Sequence, residues 1–304
     1  MRVAFAGLGA MGGPMAGHLA GVFETRVWNR TLSRAERHAR EHGSILVSDP
    51  AELADADVVC TCLPTDVEVA ALARTLGPAL SPGTVWLDHT SGDPRGSRDV
   101  AAELASRDVD YLDAPLSGGT DGAEQARLTV MVGGDEDVLE QVRPVLDVVA
   151  ARVVHVGPVG AGMAVKAVNN GLLATSLWAA AEGLVALEAA GVEAATALEV
   201  INGSSGRSFA SERLIPERVV TRAFPRTFAL GLLAKDVGLA AGVLDDGPVD
   251  GPLLHLVERL TAGAAEELGG DADHVELVRA VERAAGVEIG RGPVGGAGPE
   301  ADGA

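Results

Sequence analysis

Residues 3–12, Val-Ala-Phe-Ala-Gly-Leu-Gly-Ala-Met-Gly, decide the fold of this chain. The apolar residues 3–6 predict a buried strand, and the G-x-G-x-x-G spacing after them opens a helix. In such a turn the first glycine allows a tight bend, the second lets the backbone approach a pyrophosphate, and the third lets the helix pack against the strand. The N-terminus of the helix then faces the phosphate charge. The stretch therefore predicts a dinucleotide site that includes Gly7, Leu8, Gly9, Ala10, Met11 and Gly12.

The first half of the chain repeats this alternation of strand and helix. Short Val-rich runs predict strands at residues 3–6, 26–28, 58–61, 85–88, 111–113 and 129–132. The segments between them predict helices at residues 14–22, 32–41, 65–75, 93–107 and 136–148. Such alternation with short links is typical of a doubly wound α/β sheet. We therefore expect a Rossmann domain with a mostly parallel sheet over residues 1–160.

The pattern changes at the glycine-rich turn G-P-V-G-A-G of residues 157–162. Beyond it the chain is rich in Ala and Leu, and helices are predicted at residues 163–190, 194–201, 209–219, 228–243, 251–267 and 274–285. We expect an all-α domain over residues 161–290, joined to the first domain by a long helix. The Gly- and Pro-rich residues 291–304 predict a disordered tail.

The charge of the chain excludes several classes of partner. With 24 basic and 43 acidic residues, the formal net charge is −19, which argues against binding to nucleic acid or to anionic lipid. Aromatic residues make up 3% of the chain, which argues against a stacking platform for single-stranded nucleic acid. The apolar N-terminal stretch imitates a signal peptide, but its glycines serve the turn and it continues into the next structural unit. We expect a cytoplasmic protein without a nucleic-acid or membrane partner.

The sequence predicts no metal site. The 7 histidines are scattered without a metal-ligand spacing such as H-E-x-x-H. Cys60 and Cys62 lie in the apolar run D-V-V-C-T-C-L-P. We expect both cysteines to act as small hydrophobic residues rather than as a disulfide or a metal pair.

The end of the second predicted strand indicates which dinucleotide is bound. NAD enzymes usually carry an acidic residue there, hydrogen-bonded to the ribose 2′-hydroxyl. This chain instead has Asn29, Arg30 and Thr31. Because a guanidinium group and a hydroxyl suit a 2′-phosphate, the sequence favours NADP(H), with NAD(H) as the alternative.

Lysine is scarce in this chain, with Lys166 and Lys235 beside 22 arginines. Arginine stays protonated in proteins, whereas a lysine can be tuned to give and take a proton. A biased codon usage would explain the scarcity but not the positions of the two residues. Either lysine could therefore transfer a proton, and composition alone does not choose between them.

Four motifs lie in order along the chain. They are G-L-G-A-M-G-G-P-M at residues 7–15, D-A-P-L-S-G-G at 113–119 followed by L-T-V-M-V-G-G at 128–134, G-A-G at 160–162 with Lys166, Asn169 and Asn170, and Lys235-Asp236. In this order and spacing they resemble the β-hydroxyacid dehydrogenase family, which includes 3-hydroxyisobutyrate dehydrogenase, tartronate semialdehyde reductase and the glyoxylate/succinic semialdehyde reductases. One departure is Ala126, which stands where the family commonly has glycine and is expected either to tighten that turn or to alter the substrate loop slightly.

The resemblance implies an NAD(P)-dependent oxidoreductase that interconverts a short β-hydroxyacid and its semialdehyde. Hydride transfer to an aldehyde builds negative charge on the carbonyl oxygen, which a positioned acid protonates, and the same group is the base in the reverse direction. By resemblance Lys166 is this catalytic acid/base, and Asn170, four residues later on the same helix face, orients substrate and lysine. Ser117, Gly118 and Gly119 are implied to bind the substrate carboxylate, because small residues let N–H groups converge on an anion.

The remaining cofactor contacts are also implied by the resemblance. Lys235 is expected to approach the cofactor from the helical domain and close the site. Leu63, Pro64, Thr90 and Ser91 follow predicted strands, whose ends bind cofactors in any Rossmann sheet. The family commonly buries a subunit interface in its helical domain, so we expect a homodimer or homotetramer.

Three alternatives stay open at this point. An imine reductase-like enzyme would share the scaffold but typically replaces the lysine with Asp or Tyr, and a relative of 6-phosphogluconate dehydrogenase would typically be much longer. A non-catalytic scaffold protein that binds the cofactor would have lost the lysine. His89 has no assigned role, and residues 202–208 are either a substrate loop or a solvated connection.

Overall fold

The computed structural model describes residues 1–293. The chain divides into two compact units, Met1–Ala167 and Val168–Ala304. Of the predicted disordered tail at residues 291–304, residues 294–304 lie outside the described residues.

The first unit is built on a sheet that contains nine strands within the described chain. The strands are β1 (Arg2–Ala6), β2 (Glu24–Trp28), β3 (Ile45–Leu46), β4 (Val58–Thr61), β5 (Val85–Asp88), β6 (Asp110–Asp113), β7 (Leu116–Ser117), β8 (Leu128–Gly133) and β9 (Ala150–Gly157). Their spatial order is β3-β2-β1-β4-β5-β6-β8-β7, and β9 pairs with β8. The strands from β3 to β6 in this order are parallel, and β8 runs antiparallel to β6 and β7. The prediction of a mostly parallel Rossmann sheet is confirmed.

Helices cover both faces of this sheet, because the strands are apolar on both sides. They are α1 (Gly12–Ala20), α2 (Leu32–His42), α3 (Asp66–Leu76), α4 (Pro94–Ala105), α5 (Gly119–Glu124) and α6 (Glu136–Val149). In β1 the side chains of Val3 and Phe5 enter one apolar core, and those of Ala4 and Ala6 enter the other. Cys60 is buried and Cys62 is half-buried, and both are free thiols.

The second unit is helical. Its first helix, α7 (Ala161–Ala189), begins in the first unit. The other helices are α8 (Ala194–Asn202), a π-helix at Ala210–Val220, α9 (Leu230–Asp245), α10 (Pro252–Leu268) and α11 (Val278–Ala285), with a short hairpin of β10 (Val287–Glu288) and β11 (Gly292–Pro293). One apolar core joins these helices, and within it the indole nitrogen of Trp178 donates to the Thr261 hydroxyl at 3.0 Å. The prediction of an all-α second half is confirmed, apart from that hairpin.

Helix α7 is the one helix within residues 1–293 that is long and apolar enough to cross a membrane, with a mean hydropathy of 1.3 in its most apolar window. Its second half supplies Ala174, Leu177 and Trp178 to the core of the second unit. The carboxylate of Glu188, near its end, accepts hydrogen bonds from the N–H groups of Ala194 and Gly290. These contacts are those of a core helix in a folded helical unit.

Ala126, the departure noted in the sequence, adopts a left-handed backbone conformation with φ of 53°. This region favours glycine, and an alanine there costs about 1 kcal/mol. The strained residue lies in the turn between α5 and β8, where the N–H of Arg127 donates to the Gly122 carbonyl at 2.8 Å. The family's usual glycine therefore has a conformational reason, and this chain tolerates the strain.

Candidate active site

The glycine-rich turn after β1 has the geometry that a dinucleotide requires. Gly7 has φ of 101°, and an added Cβ would lie 2.2 Å from the Cys62 carbonyl oxygen. A Cβ on Gly12 would lie 2.0 Å from the Gly7 carbonyl oxygen. A Cβ on Gly9 would meet no protein atom within 4 Å. Gly7 and Gly12 are thus fixed by the fold, while Gly9 leaves open space on the side from which a pyrophosphate approaches, so the turn fits a dinucleotide.

Asn29 joins the end of β2 to this turn. Its side-chain oxygen accepts from the Leu8 N–H at 3.0 Å, and its side-chain nitrogen donates to the Thr31 carbonyl at 3.0 Å. Arg30 and Thr31 are exposed beside this anchor. Asn29 therefore links the loop after β2 to the glycine-rich turn, and the side chains of Arg30 and Thr31 remain accessible to a ligand.

A cavity of about 660 Å³ opens beside the turn. Its lining includes Leu8, Gly9 and Ala10, together with Arg34, Arg37 and His42 from α2. Sequence reasoning missed Arg34 and Arg37, although their spacing of three residues places both side chains on one face of α2. The lining also contains Glu41 and Glu124, so the two arginines supply local positive charge beside the turn rather than a basic cavity as a whole.

The ends of β4 and β5 are held together by a buried carboxylate. Asp88 accepts from the Thr61 hydroxyl at 2.8 Å, the Thr90 N–H at 3.0 Å and the Tyr111 hydroxyl at 2.9 Å. The Thr90 hydroxyl in turn accepts from the Leu63 N–H at 3.0 Å. Burial raises the pKa of Asp88 to about 6, against the lowering effect of these hydrogen bonds. Two predicted cofactor residues, Leu63 and Thr90, therefore share one rigid support.

Asp88 was not selected from the sequence. The available signal was an acidic residue at the end of a strand that is otherwise apolar, Val-Trp-Leu-Asp. An acid in such a place is buried and needs hydrogen-bond donors nearby.

The segment at residues 117–119 follows β7 and opens α5. Gly118 and Gly119 have φ of 133° and 63°, in the region that side chains other than glycine rarely adopt. Both glycines are exposed, and Ser117 is half-buried. The backbone at this point is therefore bare, as the predicted carboxylate site requires.

Asp113 fixes the start of the helix that carries Lys166. Its carboxylate accepts from the Gly160 N–H at 2.7 Å and from the Met163 N–H at 2.9 Å. A Cβ on Gly162 would lie 2.4 Å from the Met131 carbonyl oxygen and 2.8 Å from a carboxylate oxygen of Asp113, so that residue must be glycine. Lys166 follows within one turn and is half-buried. The D-A-P and G-A-G motifs therefore act together to place α7.

In the second unit, Asn170 of α7 meets the Lys-Asp pair of α9. The Asn170 side-chain nitrogen donates to Asp236 at 2.6 Å, and the Lys235 amine lies 3.1 Å from the other carboxylate oxygen. Because a carboxylate only accepts, the Asn170 amide orientation is settled, and its oxygen accepts from Asn169 at 3.2 Å. Asp236, which is 3% exposed, was not among the predicted site residues.

In the loop at residues 202–208, the two ends are hydrogen-bonded and the middle is exposed. Asn202 and Ser208 bond to Ser211 at the start of the π-helix, with distances of 2.7–3.3 Å. Residues 203–207 between them are exposed. The two ends of the loop are therefore structural.

Within the first unit the predicted cofactor residues follow the ends of the parallel strands β1, β2, β4 and β5, at one edge of the sheet. They are Gly7, Leu8, Gly9, Ala10, Met11, Gly12, Asn29, Arg30, Thr31, Leu63, Pro64, Thr90 and Ser91. Asn170 and Lys235 belong to the second unit.

Two family models match the chain. Residues 2–157 match the NAD-binding domain of 6-phosphogluconate dehydrogenase, and residues 160–281 match the NAD-binding domain of NADP-dependent 3-hydroxyisobutyrate dehydrogenase. Together they span both units.

Full-length relatives carry related names. The 2-(hydroxymethyl)glutarate dehydrogenase of Eubacterium barkeri is 35% identical over 297 residues, which cover 96% of this chain and 98% of that protein. The probable 3-hydroxyisobutyrate dehydrogenase of Mycobacterium tuberculosis is 36% identical, with coverage of 90% and 94%. The NAD-dependent L-serine dehydrogenase of Pseudomonas aeruginosa is 36% identical, with coverage of 79% and 84%.

Solved structures show the same architecture. The M. tuberculosis 3-hydroxyisobutyrate dehydrogenase with L-serine superposes with a TM-score of 0.87 and 33% identity, covering 92% of this chain and 98% of that one. An imine reductase from Pseudomonas sp. reaches a TM-score of 0.61 at 20% identity over 92% and 99% of the two chains, which is a likeness of fold alone.

Proposed function

The chain belongs to the β-hydroxyacid dehydrogenase family, and we propose that it interconverts a short β-hydroxyacid and its semialdehyde by hydride transfer, with Lys166 as the general acid/base. As a member it is an NAD(P)-binding oxidoreductase. The proposal adds the substrate class, the preferred cofactor and the role of each residue.

The observation that carries this proposal is the placement of Lys166. It stands three residues after Met163, and the buried Asp113 carboxylate fixes this helix start by accepting from the N–H groups of Gly160 and Met163. Asp113 is the first residue of the motif that ends in the bare backbone of Ser117, Gly118 and Gly119. One stretch of chain thus supports both the proton-transfer group and the anion-binding segment.

These residues divide the chemistry among them. A bound nicotinamide cofactor supplies or accepts the hydride. The N–H groups of residues 117–119 hold the substrate carboxylate, and Ser117 adds its hydroxyl. Protonated Lys166 gives its Nζ proton to the carbonyl oxygen as negative charge develops there, and neutral Lys166 removes the hydroxyl proton in the reverse direction. Asn170, oriented by Asp236, positions substrate and lysine.

We propose NADP(H) as the preferred cofactor. Arg30 and Thr31 are exposed at the end of β2, and Arg34 and Arg37 line the cavity beside the phosphate turn. Arg30 and Thr31 thus follow the strand at whose end an NAD enzyme usually has an acidic residue, and Arg34 and Arg37 add positive charge on α2. Lys235 approaches the cofactor from α9 in this proposal.

The physiological setting follows from the same reasoning. We propose a cytoplasmic enzyme that acts on a small carboxylate-bearing substrate and assembles as a homodimer or homotetramer. The strong negative charge supports the absence of nucleic-acid and membrane partners.

A panel of substrates tests the function. Purified protein is assayed with NADPH and NADH against glyoxylate, succinic semialdehyde, methylmalonate semialdehyde and tartronate semialdehyde. Serine and 3-hydroxyisobutyrate are assayed in the oxidative direction, and a cyclic imine is included for the alternative reaction. We expect turnover of at least one carboxylate-bearing substrate. Turnover of the imine alone would refute the proposal.

Lys166→Ala is expected to lower kcat by about 10²- to 10⁴-fold, because the group that protonates the carbonyl oxygen is gone. The affinity for NADPH, measured by fluorescence titration, should stay within twofold or so of wild type, since the phosphate turn is untouched.

Lys166→Arg is the matched control. It keeps the positive charge but cannot readily give up a proton. We expect it to be as inactive as Lys166→Ala. Turnover near that of wild type in either variant would refute the proposed role of Lys166.

A further inference from the structure

His89 is a buried histidine directly after β5, and the predicted chemistry does not use it. It is 4% exposed, and its Nδ1 lies 2.8 Å from the Ala114 carbonyl oxygen. A carbonyl oxygen only accepts hydrogen bonds, so Nδ1 carries the proton and donates. Burial lowers the pKa of His89 to about 4, so at neutral pH the ring is neutral with its proton on Nδ1.

The ring is held from several sides. It stacks on Phe5 of β1 with ring centroids 6.4 Å apart and an interplanar angle of 18°. The His89 N–H donates to the Thr61 carbonyl of β4 at 2.8 Å. A Cβ added to Gly12 would lie 3.0 Å from the Phe5 ring, so Phe5 also packs against the phosphate turn. His89 therefore rests on the same rigid strands that carry the predicted cofactor residues.

The carbonyl that His89 holds lies where the chain passes from β6 to β7. The Ala114 N–H donates to the Asp88 carbonyl at 2.7 Å, which continues the pairing of β5 with β6. The next residue, Pro115, has no N–H to give to a strand partner. The Pro115 carbonyl accepts from the Met131 N–H at 3.1 Å, and Leu116 lies opposite Val130. The His89 side chain adds one further hydrogen bond to this stretch, at the Ala114 carbonyl.

We propose that His89 is a positioning residue for the substrate carboxylate. Through the Ala114 carbonyl it sets the path of residues 115–119, and thereby the N–H groups and the hydroxyl that receive the carboxylate. This inference rests on the proposed function, and it adds a residue that the family motifs do not contain.

The test compares two substitutions of His89. Methionine keeps the volume of the ring but removes the donor, so the buried Ala114 carbonyl loses its partner. Asparagine places an amide nitrogen near the position of Nδ1 and keeps the donor. Both variants are first compared with wild type by thermal unfolding and by NADPH titration, which report whether the fold and the cofactor site survive.

The expected result is a change in KM that depends on the carboxylate. In His89→Met, KM for the best β-hydroxyacid should rise about 5- to 20-fold, the size expected when part of one buried hydrogen bond is lost, with kcat within about twofold of wild type. In His89→Asn, KM should return to within about threefold of wild type. A neutral alcohol of the same chain length, without the carboxylate, should have the same KM with all three proteins.

Several outcomes would overturn the inference. They are an unchanged KM in His89→Met, an equal loss on the neutral alcohol, and a failure of His89→Asn to restore KM while it binds NADPH normally. If wild type turns over no β-hydroxyacid at all, the proposed function fails and this inference fails with it. Activity in wild type with any of the first three outcomes refutes the role of His89 alone.

Discussion

Asp88 and His89 are adjacent, buried residues whose pKa values are shifted in opposite directions by the same cause. Desolvation raises the pKa of Asp88 to about 6 and lowers that of His89 to about 4. In the unfolded chain the two groups titrate near 3.9 and 6.5. Both differences fall in the window between pH 4 and pH 6.5, so the two residues act on stability over the same range.

The two contributions have opposite signs. The folded protein binds the Asp88 proton more tightly than the unfolded chain does, so this contribution is present at low pH and is lost as pH rises through about 6. The unfolded chain binds the His89 proton more tightly, so this contribution is lost as pH falls from about 6.5 toward 4. In wild type they largely offset each other.

His89→Asn removes the contribution of His89 to the pH dependence of stability and leaves that of Asp88. On going from pH 7 to pH 5, the variant should gain about 2 kcal/mol of unfolding free energy relative to wild type. Urea unfolding of both proteins at the two pH values measures the difference. The same difference between variant and wild type at both pH values would show that His89 is not buried as a neutral ring.

In our proposal, the preference for NADP(H) depends most on Arg30. Arg30→Asp should weaken NADPH binding roughly tenfold or more and leave NADH within about threefold, because the 2′-phosphate loses a charge-assisted hydrogen bond and meets a like charge. Fluorescence titration with both cofactors gives the ratio. Arg40→Asp, an exposed change of equal charge on α2 outside the cavity lining, is the control. An equal effect of Arg30→Asp on both cofactors would refute recognition of the 2′-phosphate.

At the scale of elements, the start of α7 depends on a carboxylate from another strand. Asp113 and the N–H groups that it accepts are 47 and 50 residues apart in sequence. Burial raises the pKa of Asp113 against the lowering effect of these hydrogen bonds. The first turn of the helix that carries Lys166 thus depends on a partner that no local pattern predicts.

Asp113→Asn should destabilise the protein by about 2 kcal/mol, because the amide nitrogen cannot accept and leaves a buried N–H unpaired. The kcat should fall as well, since Lys166 then sits on a loosened helix start. Urea unfolding and steady-state kinetics measure the two effects.

Asp135→Asn is the matched control for that change. Asp135 caps α6 by accepting from the N–H groups of Asp137 and Val138, but it is exposed. We expect a smaller loss of stability and an unchanged kcat. A kcat for Asp113→Asn equal to that of wild type would show that Asp113 does not influence catalysis by Lys166.

Sequence patterns predicted the elements whose apolar residues either form a continuous run or recur with the period of a helix. The apolar runs gave β1, β4 and β5 because strands buried on both faces are continuously apolar. The strand β9 was missed because it is only partly buried, and β3 and β7 were missed because two residues carry no period. The π-helix at Ala210–Val220 looks like an ordinary helix in sequence, since propensity does not distinguish the two.

The residues of the candidate site also fall into those that sequence patterns predicted and those that they did not. Local motifs predicted the phosphate turn and the carboxylate segment, because glycines at these positions indicate backbone conformations that other residues rarely adopt. The supporting carboxylates were not predicted. Asp88 meets Tyr111 across 23 residues and Asp236 meets Asn170 across 66, so their roles depend on tertiary pairing. Lys166 stood out through its rarity together with a motif.

At the scale of the whole molecule, the second unit leaves large apolar side chains exposed. Leu172, Phe209 and Leu253 are 59%, 62% and 58% exposed. In our proposal of a homodimer or homotetramer, these exposed side chains belong to the surface on which a further copy packs.

We expect a dimer or a tetramer when the protein is examined by size-exclusion chromatography with light scattering at micromolar concentration. Leu253→Glu should shift the mass toward the monomer, because a charge would be buried at the interface. Val67→Glu, at an apolar position of the first unit that is 70% exposed, is the control. A monomer for the wild-type chain would contradict the proposed assembly.

The scarcity of lysine gives the molecule two built-in spectroscopic probes. Lys166 lies in the first unit and Lys235 in the second, and the full sequence has no other lysine. Reductive methylation with ¹³C-formaldehyde would therefore label one amine in each unit and the N-terminus, and nothing else. The chemical shift of each label follows the ionisation of its own amine, so a titration would read the proton on Lys166 directly, without turnover and without any substitution.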